Sequence, residues 1–287
     1  MRHPTTGAAA QLALKAARTE IVLPRVIGHR GAAAYAPENT LAGFRRATAL
    51  DCRWVEFDVR LTGDGEPILL HDDRLNRTTD GRGKVSALPL EMVRRLSAGA
   101  WFGPSFAAEG VPTLQKALAL LAKLGLGANV ELKAVRGREA ETGKIVADAL
   151  LHLWPSAMSN LLLSSFQPAA LAAAGIHAPG IARGILFSSI SKKWRAVAEE
   201  LGCATIHADQ QFLNPVVVAD VRDAGYPLLA YTVNDPTRAA TLFAWGVTSV
   251  FSDNPGRLHD AAALRSGSQF IAGGRDWAER LRRGPGS

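Results

Sequence analysis

The sequence has few cysteines and no long uninterrupted hydrophobic segment. Its 287 residues include two cysteines, Cys52 and Cys203, and neither has a Cys or His neighbour at zinc-ligand spacing. Two isolated thiols fit a reducing compartment, which predicts a cytoplasmic protein. No segment approaches the ~18 apolar residues of a transmembrane helix, so we expect no stable membrane insertion.

Several sequence motifs of catalysis and cofactor binding are absent as well. No G-x-G-x-x-G follows the first apolar segment, which argues against a dinucleotide site, and there is no P-loop, G-x-S-x-G or H-E-x-x-H. Lys and Arg number 33 against 26 Asp and Glu, for a net charge of +7. This balance favours an anionic partner. The basic residues are scattered and not interleaved with aromatic ones, so no nucleic acid is expected.

What the sequence does contain is a regular alternation of short apolar segments with amphipathic ones. Asn39 to Leu50 is of the second kind, with Leu41, Phe44 and Ala47 at the spacing of one helix face. Strands that precede helices are predicted near residues 26, 55, 129, 162, 183, 205, 229 and 249. Eight such units in about 240 residues favour a (β/α)8 TIM-type barrel over an open doubly wound sheet.

The alternation also suggests where this α/β barrel begins and ends. We predict an N-terminal extension over residues 1–22, the barrel over 23–265 and a flexible tail over 266–287. Residues 72–110 break the rhythm after the second barrel strand and are too long for a simple loop between a strand and a helix. We interpret them as a small insertion that walls or covers a site.

Three acidic residues stand out because they lie on predicted barrel strands. Glu56 and Asp58 are two residues apart and therefore point the same way, and Glu131 lies near the end of the next barrel strand. Like charges directed into a barrel need compensation. One explanation is a hard divalent cation, which prefers carboxylate oxygens. The other is a set of buried ion pairs, for which the candidate partners are Arg53, Arg60 and Lys133.

Two histidines and two basic residues complete the candidate site. His29 and His71 each end an apolar segment, and imidazoles beside a metal can act as general acid and base. Arg30 and Lys133 suit a phosphate oxyanion, although both also suit the acidic residues as partners. His207, at another strand end, is a weaker candidate for a position in the same pocket.

These segments together resemble the glycerophosphodiester phosphodiesterase family of the bacterial, cytosolic type. The resemblance rests on His29-Arg30-Gly31, Pro37-Glu38-Asn39-Thr40, Glu56-Phe57-Asp58-Val59 and His71-Asp72, and on later blocks such as Glu131-Leu132-Lys133. It covers roughly Val26 to Leu258. It implies a TIM-type barrel that hydrolyses glycerophosphodiesters, small-molecule substrates, to glycerol 3-phosphate and an alcohol.

The resemblance also implies roles for individual residues. It assigns Glu56, Asp58 and Glu131 to Ca²⁺ or Mg²⁺, His29 and His71 to acid/base catalysis, and Arg30 and Lys133 to the phosphate. It leaves open whether water or the substrate's 2-hydroxyl is the first nucleophile. Two positions depart from the family pattern: Tyr231 stands where Trp is usual, and Gln115 where an acid is frequent. Tyr231 can still form an aromatic wall of the substrate site.

Two alternatives use the same barrel. The first is a phospholipase D-like hydrolysis of lysophospholipids, which exposed apolar loops around Trp101 and Phe102 would favour. The second is a non-catalytic protein that binds phosphorylated polyols; the intact set of histidines and acids argues against it. The oligomeric state is left open.

Overall fold

The structure, a computed structural model, describes residues 21–260 and 270–272. The strands are β1 (Ile21–Leu23), β2 (Val26–Gly28), β3 (Trp54–Leu61), β4 (Pro67–Leu69), β5 (Gly127–Leu132), β6 (Leu161–Ser165), β7 (Ala182–Phe187), β8 (Thr205–Asp209), β9 (Leu228–Tyr231), β10 (Ser249–Ser252) and β11 (Phe270–Ala272). The helices are α1 (Leu41–Ala49), α2 (Leu90–Val93), α3 (Leu114–Leu124), α4 (Glu139–Leu153), α5 (Pro168–His177), α6 (Trp194–Glu200), α7 (Pro215–Asp223), α8 (Pro236–Trp245) and α9 (Pro255–Asp260). Short 3-10 helices lie at Val85–Ala87, Pro104–Phe106 and Gln210–Phe212.

Eight parallel strands close into a barrel through β2. This strand pairs with β10, where Val26 lies opposite Val250, and with β3, where Gly28 lies opposite Val55. The order around the ring is β2, β3, β5, β6, β7, β8, β9, β10. The predicted (β/α)8 TIM-type barrel is therefore confirmed. Because all eight strands run the same way, their carboxyl ends and the loops that follow meet at one mouth.

The alternation of side chains along β3 shows how the barrel positions polar groups. Val55 and Phe57 are buried among residues of the surrounding helices, whereas Trp54 belongs to the apolar cluster inside the barrel. Successive residues of a strand point to opposite faces. Glu56 and Asp58 therefore share the inner face with Trp54, but lie nearer the mouth.

The opposite end of the barrel is sealed by apolar side chains. Ile21 and Leu23 of β1 are each 1% exposed and pack in one cluster with Ile27 and Trp54. β1 pairs with β11 in antiparallel fashion, which joins a segment from each terminal region. The rest of the predicted N-terminal extension and tail lies outside the described residues, and the proposed domain limits remain predictions. The mouth is thus the end of the barrel at which polar side chains can reach solvent.

The segment predicted as an insertion begins beside β4, which pairs antiparallel with β3 outside the ring. It shares a small core with β4 and the residues that flank it, formed by Ile68, Leu70, Leu75, Val85, Val93, Ala98 and Val111. The sequence of this segment predicts a helix from Leu88 to Leu96, and the structure shortens it to α2. The carboxylate of Asp80 accepts a hydrogen bond from the backbone N–H of Ser97 (2.9 Å), and Ser97 pairs with Gly110. These contacts draw the chain away from a helical path.

Two threonines begin helices next to the mouth. The Thr40 hydroxyl accepts a hydrogen bond from the N–H of Gly43 (3.2 Å) and caps α1, and Thr113 caps α3 in the same way through Lys116 (3.3 Å). The sequence alone allows either Asn39 or Thr40 as the cap of α1. Because Thr40 takes this role, Asn39 is available for other contacts.

Candidate active site

Polar side chains from the strand ends and their loops surround one cavity at the barrel mouth. Its volume is about 530 Å³, counting the part that is open to solvent. Most of the residues that the sequence singles out line this cavity, namely His29, Arg30, Glu56, His71, Glu131, Lys133 and Tyr231. Asp58 is buried beside them. His207, the weaker candidate, lines the cavity as well.

The three acids form one cluster. A carboxylate oxygen from each of Glu56, Asp58 and Glu131 lies within 4.8 Å of the others. Strand register explains the proximity, because β3 and β5 are neighbours and Asp58 lies directly opposite Glu131. All three side chains are buried. Three carboxylates converging on one point fit a hard divalent cation.

The electrostatics of the cluster shows why a cation would be favourable there. Burial, together with Asp58 and Glu131, raises the pKa of Glu56 well above its usual value. Burial also raises the pKa of Glu131 to about 7, although Lys133 opposes the rise. Asp58 is the exception. Burial would raise its pKa, but Lys133 and Arg30 hold it at about 2. Among the described residues, the Oε1 atom of Glu56 is buried without a hydrogen-bond partner.

The basic residues lie among these acids. Lys133 Nζ is 2.5 Å from a Glu131 oxygen and 3.4 Å from Asp58, and the Arg30 guanidinium lies 3.3 Å from Asp58. The backbone of Arg30 has a φ of +50°, which lets its N–H donate to Glu56 (3.0 Å). Arg30 and Lys133 therefore pair with the acids, which is one of the two roles that the sequence allows them. Both side chains also line the cavity, as the other role, phosphate binding, requires.

His29 is oriented by an aspartate that directly follows the last barrel strand. Its Nδ1 lies 2.6 Å from Asp253 Oδ1, and its Nε2 lies 3.8 Å from Glu56. Asp253 is held in turn by Asn234, whose amide donates to the second carboxylate oxygen (2.9 Å). A carboxylate at Nδ1 favours the tautomer with the proton on that nitrogen and leaves Nε2 for chemistry.

His71 has the same arrangement with different residues. Its Nδ1 lies 2.7 Å from Asp72 Oδ1, and Arg77 of the insertion donates to both oxygens of Asp72 (2.8 and 2.9 Å). Arg77 also donates to Glu38 (2.6 and 2.8 Å), which in turn accepts from Arg30 (2.8 Å). Burial lowers the pKa of His71, and Asp58 partly opposes the change. A continuous chain of charged hydrogen bonds thus connects the two sides of the mouth.

Tyr231 lines the cavity from β9, which lies across the ring of strands from β5. Its hydroxyl donates to the carbonyl of Phe187 (2.9 Å), so the ring presents its apolar surface to the cavity. Phe166 packs edge-on against it, with ring centroids 5.9 Å apart, and the Lys133 ammonium lies 5.5 Å from the Phe166 ring. An aromatic surface therefore borders the charged half of the cavity.

Residues 29–257 match the model of the glycerophosphoryl diester phosphodiesterase family. The chain belongs to this family. The matched range contains every residue of the site described above, and the chain is accordingly a phosphodiesterase.

Individual members of the family are similar over most of their length. YhdW of Bacillus subtilis is 33% identical over 243 residues, which is 80% of this phosphodiesterase and 94% of the relative. A glycerophosphodiester phosphodiesterase of Caldanaerobacter subterraneus is 30% identical over 238 residues, 81% of this chain and 95% of its own. The structure of an Oleispira antarctica phosphodiesterase in complex with the product sn-glycerol-3-phosphate is 42% identical, with a TM-score of 0.82, and the match covers 85% of this chain and 97% of that one.

Several residues that shape the phosphodiesterase site were not singled out from the sequence. Asn39 donates to Asp58 (2.8 Å) and accepts from the Asp58 backbone N–H (3.0 Å), and its φ of +56° is a conformation that Asn tolerates. Asp253, Asp72 and Arg77 hold the histidines. Asn39 and Asp72 stand within motifs quoted above for the family resemblance, and their polar character there was the available signal. Arg77 and Asp253 belong to two further segments of the same resemblance, Leu75-Asn76-Arg77-Thr78 and Ser252-Asp253-Asn254-Pro255.

The floor of the phosphodiesterase cavity holds two further polar residues, Asn129 and His207. Asn129 is 1% exposed and His207 is fully buried, and both line the cavity. Burial lowers the pKa of His207 to about 3, so its imidazole is neutral. The sequence predicted a pocket position for His207 as the weaker alternative and gave no indication for Asn129.

Proposed function

We propose that this enzyme hydrolyses glycerophosphodiesters to glycerol 3-phosphate and an alcohol, with His29 and His71 in acid/base catalysis. The observation that carries the proposal is the pairing of two imidazoles, each anchored through Nδ1 by an aspartate, around one buried acidic cluster. The product sn-glycerol-3-phosphate in the similar Oleispira antarctica structure supports the same class of substrate.

The acidic cluster is proposed to hold Ca²⁺ or Mg²⁺. Glu56, Asp58 and Glu131 supply only oxygen ligands, which both ions prefer, and the raised pKa values of the two glutamates reflect a charge that no nearby group fully balances. When bound, such an ion supplies charge neutralisation for the phosphate and for the transition state. Asn39 fixes the Asp58 carboxylate for this role.

Arg30 and Lys133 are proposed to hold the phosphate oxygens. Both face the cavity and both already contact carboxylates, so they can turn toward an added anion over a short distance. A guanidinium offers a planar fork of donors, and an ammonium offers a compact charge. Together they would position the phosphorus between the two histidines.

The histidines divide the proton transfers. One Nε2 takes a proton from the nucleophile, which is water or the 2-hydroxyl of the substrate, and the other gives a proton to the leaving alkoxide. Asp253 and Asp72 keep the Nδ1 protons in place during both steps. The wall of Tyr231 and Phe166 is proposed to border the substrate.

The phospholipase D-like alternative receives limited support from the insertion, where Trp101 is 43% exposed. The Trp101 indole donates to the Ala98 carbonyl (2.8 Å), and its ring packs edge-on against Phe102, which packs against Phe106. These aromatic residues are thus engaged with one another. Among the described residues, no helix has the length and hydrophobicity needed to cross a bilayer.

Cys52 and Cys203 are both buried, which supports the proposed reducing, cytoplasmic setting.

The test is a panel of glycerophosphodiesters and one long-chain lysolipid, with Ca²⁺, Mg²⁺ or chelator, on wild type and on His29→Ala and His71→Ala. We expect turnover of glycerophosphocholine that depends on metal and falls at least ~100-fold in each variant while the fold survives. Near-normal turnover in either variant would remove that histidine from the mechanism. Full activity after chelation would reject the metal, and preferential turnover of the lysolipid would favour the alternative substrate.

A further inference from the structure

Arg77 is an insertion residue that binds two carboxylates at once. Its guanidinium donates to both oxygens of Asp72 (2.8 and 2.9 Å) and to both oxygens of Glu38 (2.6 and 2.8 Å). Such two-point contacts fix the direction of a carboxylate as well as its charge. Asp72 is the residue that orients His71, and Glu38 is the one that accepts from Arg30. Arg77 itself lies outside the cavity lining, so its contacts connect it to the reaction through these two carboxylates.

The first carboxylate keeps His71 in position. The His71 side chain is 33% exposed and that of Asp72 is 28% exposed, so both have room to turn toward solvent. The hydrogen bond between them (2.7 Å) joins neighbouring residues and does not by itself prevent that turn. Arg77 does, because rotation of the Asp72 carboxylate would break both of its hydrogen bonds from the guanidinium. The direction of the imidazole therefore depends on Arg77.

The second carboxylate concerns the phosphate. Arg30 donates to Glu38 (2.8 Å), and a turn of this guanidinium toward a substrate oxygen loosens that contact. The Glu38 side chain is 10% exposed, and a buried carboxylate that loses its partner is strongly unfavourable. Burial would raise the pKa of Glu38, but the hydrogen bonds from Arg77 and the charge of Arg30 lower it, so Glu38 stays charged and needs a cation. Arg77 remains as that cation when Arg30 turns away.

We propose that Arg77 is a positioning residue for both halves of the site, an inference that rests on the proposed function. It directs Nε2 of His71 toward the cavity by holding Asp72. It also lets Arg30 turn to the phosphate, because Glu38 keeps a cationic partner when Arg30 leaves it. The first effect acts on proton transfer and therefore on kcat, and the second acts on binding of the phosphate and therefore on KM.

The test uses Arg77→Met, which keeps the length of the aliphatic side chain and removes its donors. For glycerophosphocholine at saturating metal, we expect kcat to fall about 10- to 100-fold, since a small displacement of a catalytic group has effects of this size. KM should rise about 3- to 10-fold, because the phosphate loses part of its contact with Arg30.

The matched control is Arg138→Met. Arg138 makes the same two-point contact with Glu141 (2.6 and 2.8 Å), and within the described residues this pair contacts neither histidine of the site nor Arg30. Both kcat and KM of the control should stay within about twofold of wild type.

Double variants distinguish a positioning role from a purely structural one. If Arg77 acts on kcat through His71, Arg77→Met in a His71→Ala background should change kcat by less than about twofold, because the imidazole that it positions is gone. If it acts on KM through Arg30, the rise in KM should likewise disappear in an Arg30→Met background. A structural role would multiply with each second substitution, and full multiplicative losses in both backgrounds would overturn the proposal.

Arg77→Lys guards against a variant that fails to fold. Lysine keeps a positive charge between Asp72 and Glu38 but has no planar fork with which to bind both oxygens of each. Its kcat should still fall at least ~3-fold, while urea unfolding reports its stability separately. Wild-type kcat and KM in both Arg77 variants would overturn the positioning role and leave the phosphodiesterase proposal intact. A wild-type enzyme that cleaves no glycerophosphodiester would overturn both.

Discussion

The hydrogen bond between His29 and Asp253 offers a sharp test of the proposed proton transfers. One Asp253 oxygen lies 2.6 Å from His29 Nδ1, and the other accepts from the Asn234 amide at 2.9 Å. Asp253→Asn leaves one oxygen for these two donors. If that oxygen stays with Asn234, the new NH₂ group faces Nδ1 and forces the imidazole proton onto Nε2. Nε2 then has no lone pair with which to accept a proton.

The expected loss follows from this change of tautomer. The corresponding substitution in the serine protease triad lowers kcat about 10⁴-fold. The Asp253 side chain is 32% exposed, so water can relieve part of the mismatch here. We therefore expect kcat/KM for glycerophosphocholine to fall about 10²- to 10³-fold, which corresponds to about 3–4 kcal/mol of transition-state stabilisation.

The assay is release of glycerol 3-phosphate at saturating metal. Asp235→Asn is the matched control, since Asp235 caps α8 through the N–H groups of Thr237 and Arg238 and Asn caps equally well. Its activity should stay within about twofold of wild type.

A double variant tests the tautomer directly. With Asn234→Asp added to Asp253→Asn, the carboxylate at 234 accepts from the new amide and turns its oxygen back toward His29. Activity should recover about tenfold over the single variant. An Asp253→Asn enzyme within about threefold of wild type, or a double variant no better than the single one, would refute the reasoning.

Three further predictions follow from burial. Burial lowers the pKa of His207 to about 3 in the folded state, whereas the unfolded chain binds a proton there below about pH 6.5. Between about pH 6 and pH 4 the contribution of His207 to the free energy of unfolding should fall by about 1.4 kcal/mol per pH unit. The difference between wild type and His207→Gln in urea unfolding should follow this slope. Ca²⁺ or Mg²⁺ should raise the melting temperature more at pH 8 than at pH 6, because burial raises the pKa of Glu131 to about 7 and protons compete with the ion for this carboxylate. If the ion raised the melting temperature of Glu131→Gln as much as that of wild type, Glu131 would not be a ligand. Asn39→Ala should cost about 2 kcal/mol in urea unfolding because it leaves buried groups of Asp58 unsatisfied, whereas Asn76→Ala, at an exposed hydrogen bond, should change little.

The barrel could be predicted from sequence because its signals are local. Each strand is a short apolar segment followed by a helix, and the alternation within β3 already places Glu56 and Asp58 on one face. Glu131 could be added because parallel neighbours bring their strand ends together. The shortened α2 was missed because its end depends on a contact with Asp80, which no helical pattern contains.

The partners of the histidines could not be predicted in this way. Asp253 is 224 residues from His29 in sequence, and nothing local distinguishes it from other aspartates at strand ends. The sequence predicts Asn39 and Thr40 equally well as the cap of α1. Thr40 takes this role because the loop before α1 brings Asn39 into hydrogen-bonding contact with Asp58 of β3. Whether Arg30 and Lys133 contact the acids or a phosphate likewise could not be predicted, because it depends on distances that are set only in the folded barrel.

The chain of charged hydrogen bonds through Arg77 limits how the insertion of this enzyme can be exchanged. Loop exchange is an obvious route to a new alcohol preference, because the insertion begins at the barrel mouth, where it shares a small core with β4. Yet Arg77 holds Asp72, and with it His71, while also binding Glu38 from the first loop of the barrel. A grafted insertion that lacks this arginine would alter the reaction together with the specificity. A graft that changes the specificity alone therefore has to keep Asp72 and Arg77 in place.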